Sequence, residues 1–375
     1  MSIISCLTDV PHPGEFLKEE IDARGWLQRD LAYILGVPEQ AITMIIAGKR
    51  GISPEMAKAL GDAFDVSADY FANLQQSYEM SNARAPDPGV ARRAALQGSY
   101  PVREMIKRGW LEDTDVGMLE AQMMRFFKVN RLQDVPHLAH AAKKADYSET
   151  TPTQFAWLYR VQQICSEMVC APYSEKKLRA AILAMPRLMV DPEEIREVPR
   201  ILAECGVRFA VVETLPKANI DGVCFWQGET PVIGMTNRYD RIDNFWFVLR
   251  HEIEHVLNQD GRGDFQMDVD LEGDNAGDSE GLPPEERAAN IAAADFCVPT
   301  EDIDSFYLRK FPFISERDVL GFSRRVQRHP GIVVGQLQRR MKRYDYLTKY
   351  KVKIRQFLLP SSLVDGWGQC PPVSL

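Results

Sequence analysis

The clearest hydrophobic pattern in the chain lies between Asn244 and Leu257. Apolar residues recur there at helical spacing, and neither glycine nor proline interrupts the run. A second, alanine-rich stretch over 285–296 has the same helical character. The pattern predicts two helices, and we interpret the acidic, glycine-rich segment between them as a loop.

Three short runs of β-branched and aromatic residues come directly before the first of these helices. They cover 207–214, 222–227 and 231–236, and the turn sequences DG and QGET join them. Such spacing is typical of strands connected by tight turns. The sequence therefore predicts a small sheet beside the 244–257 helix.

Residues 100–200 are helical by pattern, and 81–99 form a stretch rich in Ala, Gly, Pro and Arg. We interpret the latter as a linker or a loosely docked helix. The aromatic and methionine side chains of 100–200 are expected to be core positions, because such residues are usually buried. The helical runs are 101–111, 116–129, 152–169, 175–189 and 192–206.

The first part of the chain, 11–80, is predicted to form five short helices. Gln28–Leu35 would be the first helix of a helix-turn-helix unit, Gly36 and Val37 its turn, and Pro38–Ile46 the second helix. Proline suits the first turn of a helix, where its missing N–H costs no hydrogen bond.

Composition sets the overall class. With 375 residues and 45% apolar content, the chain is long enough for two or three domains. We expect an α+β protein that is mostly helical: a helix-turn-helix domain at 11–80, the linker 81–99, a helical region at 100–200, a core with a small sheet at 201–310, and a basic region at 311–375.

Location is the next expectation. No apolar run is long enough to span a membrane, and the first residues lack the pattern of a secretion signal. The seven cysteines are dispersed, and none lies in a CxxC pair. Dispersed thiols fit a reducing compartment, so we expect a cytoplasmic protein without a membrane partner.

The first predicted helix carries the sequence HEIEH at 251–255. On a helix, His251 and His255 project from one face and can bind one zinc ion, while Glu252 reaches the open side of that ion as a general base. Glu286 in the second helix is the predicted third protein ligand, and Asn290, one turn later, a partner of a metal-bound group. The alternative for Glu286 is an exposed carboxylate near a helix N-terminus.

Residues 215–299 resemble the ImmA/IrrE family of metallopeptidases through LPKANIDGVCFWQGETPVIGMTNRYDRIDNFWFVLRHEIEHVL and EERAANIAAADFCVP. The resemblance implies a zincin-like core with Zn²⁺ bound by His251, His255 and Glu286. This sequence differs from the family at Glu254, where a small residue is usual, and at Ala292, where Phe is common.

Residues 11–80 resemble the HigA-type antitoxins of the Xre/Cro helix-turn-helix class. The resemblance implies binding to double-stranded operator DNA, and we expect a homodimer. The domain nevertheless holds six Lys/Arg against eleven Asp/Glu, so partner binding without DNA is the alternative. The predicted DNA-binding residues are Gln28, Gln40, Thr43, Lys49 and Arg50.

The C-terminal region reverses the sign of charge. Between Arg324 and Arg355 there are eleven Lys/Arg and one acid, with three interleaved tyrosines, a mixture that suits single-stranded nucleic acid. A solvated basic face is the alternative. His329, in HPGIVVG, is predicted either to stabilise an oxyanion or to occupy a structural turn.

Two functions from different classes follow. The first is a zinc-dependent endopeptidase that also binds DNA and regulates a partner repressor or toxin, as the relatives imply. The second is an antitoxin that binds DNA and neutralises its toxin by contact, without proteolysis. A Glu252→Gln variant separates them, because it removes the general base and keeps the metal ligands.

Overall fold

The computed structural model describes residues 10–135, 150–263, 266–269, 282–358 and 364–365. The chain divides into two compact units, 1–88 and 89–375. No helix of the described residues is long and apolar enough to cross a membrane.

Within the described residues, the first unit is a bundle of five helices. Its helix-turn-helix pair is α2 and α3, and Gly36 links them in the left-handed region at φ 66°, where glycine carries no steric penalty. Pro38 caps α3, which begins one residue later than predicted. The helices are α1 (Pro13–Ala23), α2 (Gln28–Leu35), α3 (Glu39–Ile46), α4 (Pro54–Phe64) and α5 (Ala68–Asn82). Fully buried side chains of the bundle include Leu17, Leu31, Ile42, Ile45, Leu60 and Phe71.

The second unit begins inside 81–99, the segment interpreted above as a linker or a loosely docked helix. Residues 83–88 connect the units, but 89–99 form a helix whose Leu96 is 6% exposed in the apolar core. Burial of that leucine and an ion pair between Arg92 and Glu120 hold this part in place, so 89–99 match the docked-helix alternative. The helices before the sheet are α6 (Gly89–Ser99), α7 (Val102–Lys107), α8 (Val116–Phe127), α9 (Pro152–Ser166), α10 (Glu175–Ala184) and α11 (Val198–Glu204).

The part of the chain that the structure describes contributes five strands to the sheet, in the order β4-β2-β3-β1-β5. β1 pairs in parallel with β3 and β5, whereas β2 pairs antiparallel with β3 and β4. β4 lies in the segment predicted as loop, which corrects that prediction for 266–269; residues 270–281 lie outside the described part. The strands are β1 (Arg208–Val212), β2 (Ile220–Gln227), β3 (Thr230–Met235), β4 (Gln266–Val269) and β5 (Val364–Asp365).

The central helix of the unit packs against β2, β3 and two other helices. This helix, α12, spans Ile242–Asn258 and is buried along almost its whole length, so its two ends are fixed by packing on several sides. The remaining helices are α13 (Pro284–Cys297), α14 (Thr300–Lys310), α15 (Glu316–Val326), α16 (Pro330–Met341) and α17 (Arg355–Leu358).

The basic C-terminal region is part of this same unit and not a separate one. α16 packs against α12 and buries Ile332, Val333, Val334 and Leu337 in the core that also holds the α12 side chains. A Lys351–Asp243 ion pair of 3.1 Å, with both side chains under 10% exposed, joins the region to the start of α12. The charge pattern that suggested a boundary at 311 therefore does not mark the start of a separate compact unit.

Candidate metal centre

Two histidines face each other on one side of α12. The Nε2 atoms of His251 and His255 lie 3.1 Å apart, and neither side chain is exposed. They are separated by one helical turn, which brings side chains at i and i+4 onto the same face. Two buried nitrogens this close need a shared proton or a cation between them, so the pair could hold a metal ion together with further ligands.

Glu286 reaches the same point from the first turn of α13. Its Oε2 lies 3.3 Å from His251 Nε2, and its Oε1 lies 3.6 Å from His255 Nε2. The side chain is 3% exposed. The packing of α13 on α12 therefore brings together the three side chains that the sequence predicts as ligands.

A fourth acidic side chain, Asp268 of β4, completes the cluster. Its Oδ2 lies 3.2 Å from His251 Nε2 and 3.8 Å from His255 Nε2, and the residue is 4% exposed. Sequence reasoning missed this residue because the surrounding segment is acidic and glycine-rich. The signal that could have found it is the alternation of Phe265, Met267 and Val269 with polar residues, which is typical of a strand.

The cluster fits a zinc ion. One ligand atom from each of the four side chains lies within 4.8 Å of all the others. A tetrahedral site with metal–ligand bonds of about 2.0–2.1 Å places its ligand atoms about 3.3–3.4 Å apart, and the five measured separations of 3.1–3.8 Å bracket that value. Imidazole nitrogens and carboxylate oxygens are ligands that zinc accepts.

The carboxylates shape the protonation of this buried site. Burial alone would lower the pKa of His251, but Asp268 and Glu286 outweigh it and raise the pKa to about 10. Burial also favours a neutral Asp268, yet the charge of His251 and the hydrogen bond to it hold the pKa of Asp268 below its ordinary value. Burial and then Asp268 raise the pKa of Glu286. A cation bound between these side chains would balance the negative charge of Asp268 and Glu286, which a protonated His251 balances in this structure.

Glu252 occupies a tightly confined place beside the cluster. It is fully buried, and a β-carbon built on Gly222 of β2 would lie 1.9 Å from its Oε1. Burial, followed by the charges of Asp268, Glu286 and Asp221, raises the pKa of Glu252. Burial and the neighbouring negative charges thus favour the protonated form of this carboxyl group.

Asp260 supports the site from the end of α12. Its Oδ2 lies 2.9 Å from His255 Nδ1, the ring nitrogen that faces away from the cluster. This contact fixes the ring and leaves Nε2 to the metal position. Asn290, predicted for a supporting role, is half-buried one turn after Glu286, and the described residues give it no hydrogen bond. Glu254 pairs with Arg250 at 2.7 Å, outside the ligand set.

His329 caps α16. The ring Nδ1 accepts a hydrogen bond of 3.1 Å from the backbone N–H of Gly331. The backbone N–H of His329 donates to the Met189 carbonyl at 2.7 Å. Burial lowers the pKa of this imidazole. These contacts match the structural alternative that the sequence left open, and the oxyanion role stays a prediction.

The predicted DNA-binding residues lie on the surface of α2 and α3 and just after α3. Thr43 Oγ1 donates to Gln28 Oε1 at 2.8 Å, so two of them contact each other. Gln40, Lys49 and Arg50 are exposed. The arrangement leaves side-chain amides and cations free to face a groove.

The basic C-terminal stretch uses much of its charge within its own unit. Arg339 lies over the Phe247 ring at 4.1 Å, and Arg328 donates to the carbonyls of Phe296 and Cys297. Six other cations of the stretch form ion pairs, and the paired carboxylates offset part of the positive charge that would attract nucleic acid. The ion pairs are Arg325–Asp302, Arg340–Asp304, Arg343–Asp345, Lys349–Glu316, Lys351–Asp243 and Arg355–Glu213.

Comparisons with known proteins identify two segments. Residues 17–71 match the helix-turn-helix family, and residues 207–342 match the IrrE N-terminal-like domain, a peptidase family. The first match covers α2 and α3, and the second covers β1–β4, α12, α13 and α16.

Individual relatives match shorter parts of the chain. Virulence-associated protein A' of Dichelobacter nodosus is 40% identical over 72 residues, which are 19% of this chain and 63% of that protein. An uncharacterized HTH-type transcriptional regulator of Escherichia coli, YddM, is 26% identical over 23% of this chain and 94% of its own length. A solved complex of Pseudomonas aeruginosa PA4674 with operator DNA is 37% identical over 20% of this chain and 84% of its own, with a TM-score of 0.20.

Proposed function

We propose that this chain, a helix-turn-helix domain joined to an IrrE N-terminal-like domain, is a zinc-dependent endopeptidase. The observation that carries the proposal is the convergence of His251, His255 and Glu286 on one point beside a buried Glu252. Two histidines and a glutamate are a ligand set of hydrolytic zinc sites. We further propose that the protein acts in the cytoplasm on a partner repressor or toxin.

Zinc, when bound, supplies a Lewis acid that polarises the carbonyl of the scissile peptide bond. Glu252 accepts the proton of the attacking water and passes it to the leaving amine. Its raised pKa suits this exchange, because a carboxylate with an ordinary pKa is a weaker base. Asp260 holds the His255 ring in the orientation that directs Nε2 to the cluster.

The helix-turn-helix domain directs this activity to DNA, binding an operator as a homodimer. Helix α3 would enter the major groove, where Gln40 can contact adenine, while Lys49 and Arg50 contact phosphates. The match of residues 17–71 to the helix-turn-helix family and the exposure of these side chains support this role. The acidic balance of the domain limits nonspecific attraction to DNA, so specific contacts must supply the affinity.

A non-proteolytic antitoxin is the second candidate function. The presence of Asp268 in the cluster favours it, because four protein ligands are typical of a structural zinc site. In that case the metal stabilises the fold, and the toxin is neutralised by contact.

Expression of the wild type and of Glu252→Gln in the native host, followed by labelling of new protein N-termini, separates the two functions. We expect cleavage sites that appear with the wild type and are missing with Glu252→Gln, at equal protein levels. Identical N-termini in both cultures would reject the peptidase. If both forms then protect the host equally against the toxin, the antitoxin function is supported instead.

A further inference from the structure

Asp268 is the one member of the cluster that the proposed hydrolysis does not need. A hydrolytic zinc site has three protein ligands and an open fourth position, whereas a closed site has four. Here four side chains of the described residues converge, and all are under 5% exposed. A metal ion held between them would have four protein side chains as possible ligands.

We propose that Asp268 is the fourth zinc ligand of a resting state, and that peptide hydrolysis requires its withdrawal. The inference deepens the proposed peptidase function and rests on it. It adds a closed form of the centre, in which substrate has no access to the metal, and it assigns the closing residue.

The atom that Asp268 approaches distinguishes a ligand from an orienting group. A carboxylate that orients a histidine ligand forms a hydrogen bond with the ring nitrogen that faces away from the metal, as Asp260 does with His255 Nδ1. Asp268 instead lies 3.2 Å from His251 Nε2, the nitrogen that also faces His255 and Glu286. His251 Nδ1 has no hydrogen-bond partner among the described residues, so Asp268 does not hold the ring from behind.

The strand that carries Asp268 is short and lies at the edge of the sheet. β4 has four residues and pairs with β2 on one side, and β4 is terminal in the strand order. Gly222 stands opposite Asp268 in this pairing, next to a register shift in β2. Such irregularities redirect a side chain near a site. Withdrawal of Asp268 therefore requires only that the backbone hydrogen bonds between β4 and β2 break, while the central helix α12 stays in place.

Cobalt-substituted protein tests the assignment without reference to turnover. The variants are Asp268→Ala, which opens the position, and Asp268→Asn, which keeps the volume and removes the charge. Glu254→Ala is the control, because it removes a carboxylate of α12, the helix that carries His251 and His255, and this carboxylate pairs with Arg250 outside the cluster. Metal affinity is measured by competition with a chelator, and the visible spectrum is recorded with and without acetohydroxamate.

We expect the wild type and Glu254→Ala to show the same spectrum, unchanged by acetohydroxamate. Asp268→Ala should bind metal more weakly, by at least the roughly 10- to 100-fold that supporting residues contribute, and its spectrum should shift on addition of acetohydroxamate. Wild-type spectra that already respond to acetohydroxamate, with Asp268→Ala of equal affinity, would overturn the inference. If Asp268→Ala does not fold by circular dichroism, the same criteria apply to Asp268→Asn.

A cleavage assay on the same proteins keeps the two proposals distinguishable. Labelling of N-termini in cells that express Asp268→Ala should reveal more cleavage than in cells that express the wild type. A spectral change without any cleavage by either form would retain Asp268 as a ligand and reject the peptidase. Cleavage that depends on Glu252 but is unchanged in Asp268→Ala, with unchanged spectra, would retain the peptidase and reject the closed state.

Discussion

A β-carbon on Gly222 would lie 1.9 Å from Oε1 of Glu252. Real β-carbons do not approach another atom so closely, so the absent side chain at 222 is what makes room for the carboxylate. The glycine belongs to β2, directly opposite Asp268, and the glutamate to α12. The sheet and the helix thus meet at the site itself, and the position of Glu252, the proposed general base, depends on a glycine that takes no part in the proposed chemistry.

Gly222→Ala should therefore displace Glu252 while leaving the metal ligands in place. We expect a loss of cleavage of about 100-fold or more, in line with the contribution of a positioned base, and zinc content equal to that of the wild type. Zinc by mass spectrometry and cleavage in cells are the two measurements. Gly98→Ala in α6, where a β-carbon meets nothing within 4 Å, is the control and should behave as wild type.

Asp260→Asn tests the support of His255. The 2.9 Å contact to His255 Nδ1 loses its charge, so the ring becomes a poorer ligand and is less well oriented. We expect zinc affinity to fall about 10- to 100-fold, measured by chelator competition. Glu254→Gln, which alters a carboxylate outside the cluster, should leave the affinity unchanged. Equal affinities for Asp260→Asn and wild type would remove Asp260 from the site.

The cap of α16 should be sensitive to acid. His329 accepts from Gly331 N–H only when its Nδ1 is unprotonated, and burial lowers its pKa although Asp191 opposes this. The folded pKa lies below the unfolded value, so this stability is present above about pH 6.5 and is lost as the pH falls through the folded pKa.

His329→Asn should keep a cap without titrating. We expect the variant to lose less stability than the wild type between pH 7.5 and pH 5, by about 1 kcal/mol, the usual contribution of a cap. Thermal unfolding at the two pH values measures it. A wild-type loss equal to that of His329→Asn would exclude the histidine as the cause.

Substitutions in the first unit separate reading of bases from attraction to phosphate. Gln40→Ala should reduce the preference for the operator over unrelated DNA by about 1–3 kcal/mol. Lys49→Ala should weaken both DNAs equally and flatten the salt dependence. Fluorescence anisotropy at several salt concentrations gives both quantities. If the wild type binds no operator at low salt, the domain serves partner binding instead.

Much of the fold follows from local pattern. The helical period in 244–257 predicts α12 to within two residues at its start and one at its end, and the β-branched runs predict β1, β2 and β3. The signal is strong there because burial on one or more faces dictates the residue types at every turn. The turn before α3 is equally local, since Gly36 takes a conformation that suits glycine.

Features that depend on distant contacts could not be predicted in the same way. β4 has only four residues, and its place in the sheet comes from pairing with β2, some forty residues earlier in the chain. Asp268 is one acid among many in its segment, and only the fold brings it to His251. The basic stretch looked continuous in sequence, yet carboxylates from other elements neutralise much of it.

Zinc retained after dialysis against a competing chelator tests the central claim most directly. The account predicts about one zinc ion per chain in the wild type and in Glu252→Gln, and far less in His255→Ala and Glu286→Ala. Circular dichroism of all four proteins shows whether each is folded. Retention of zinc by folded His255→Ala and Glu286→Ala at the wild-type level would contradict the metal centre.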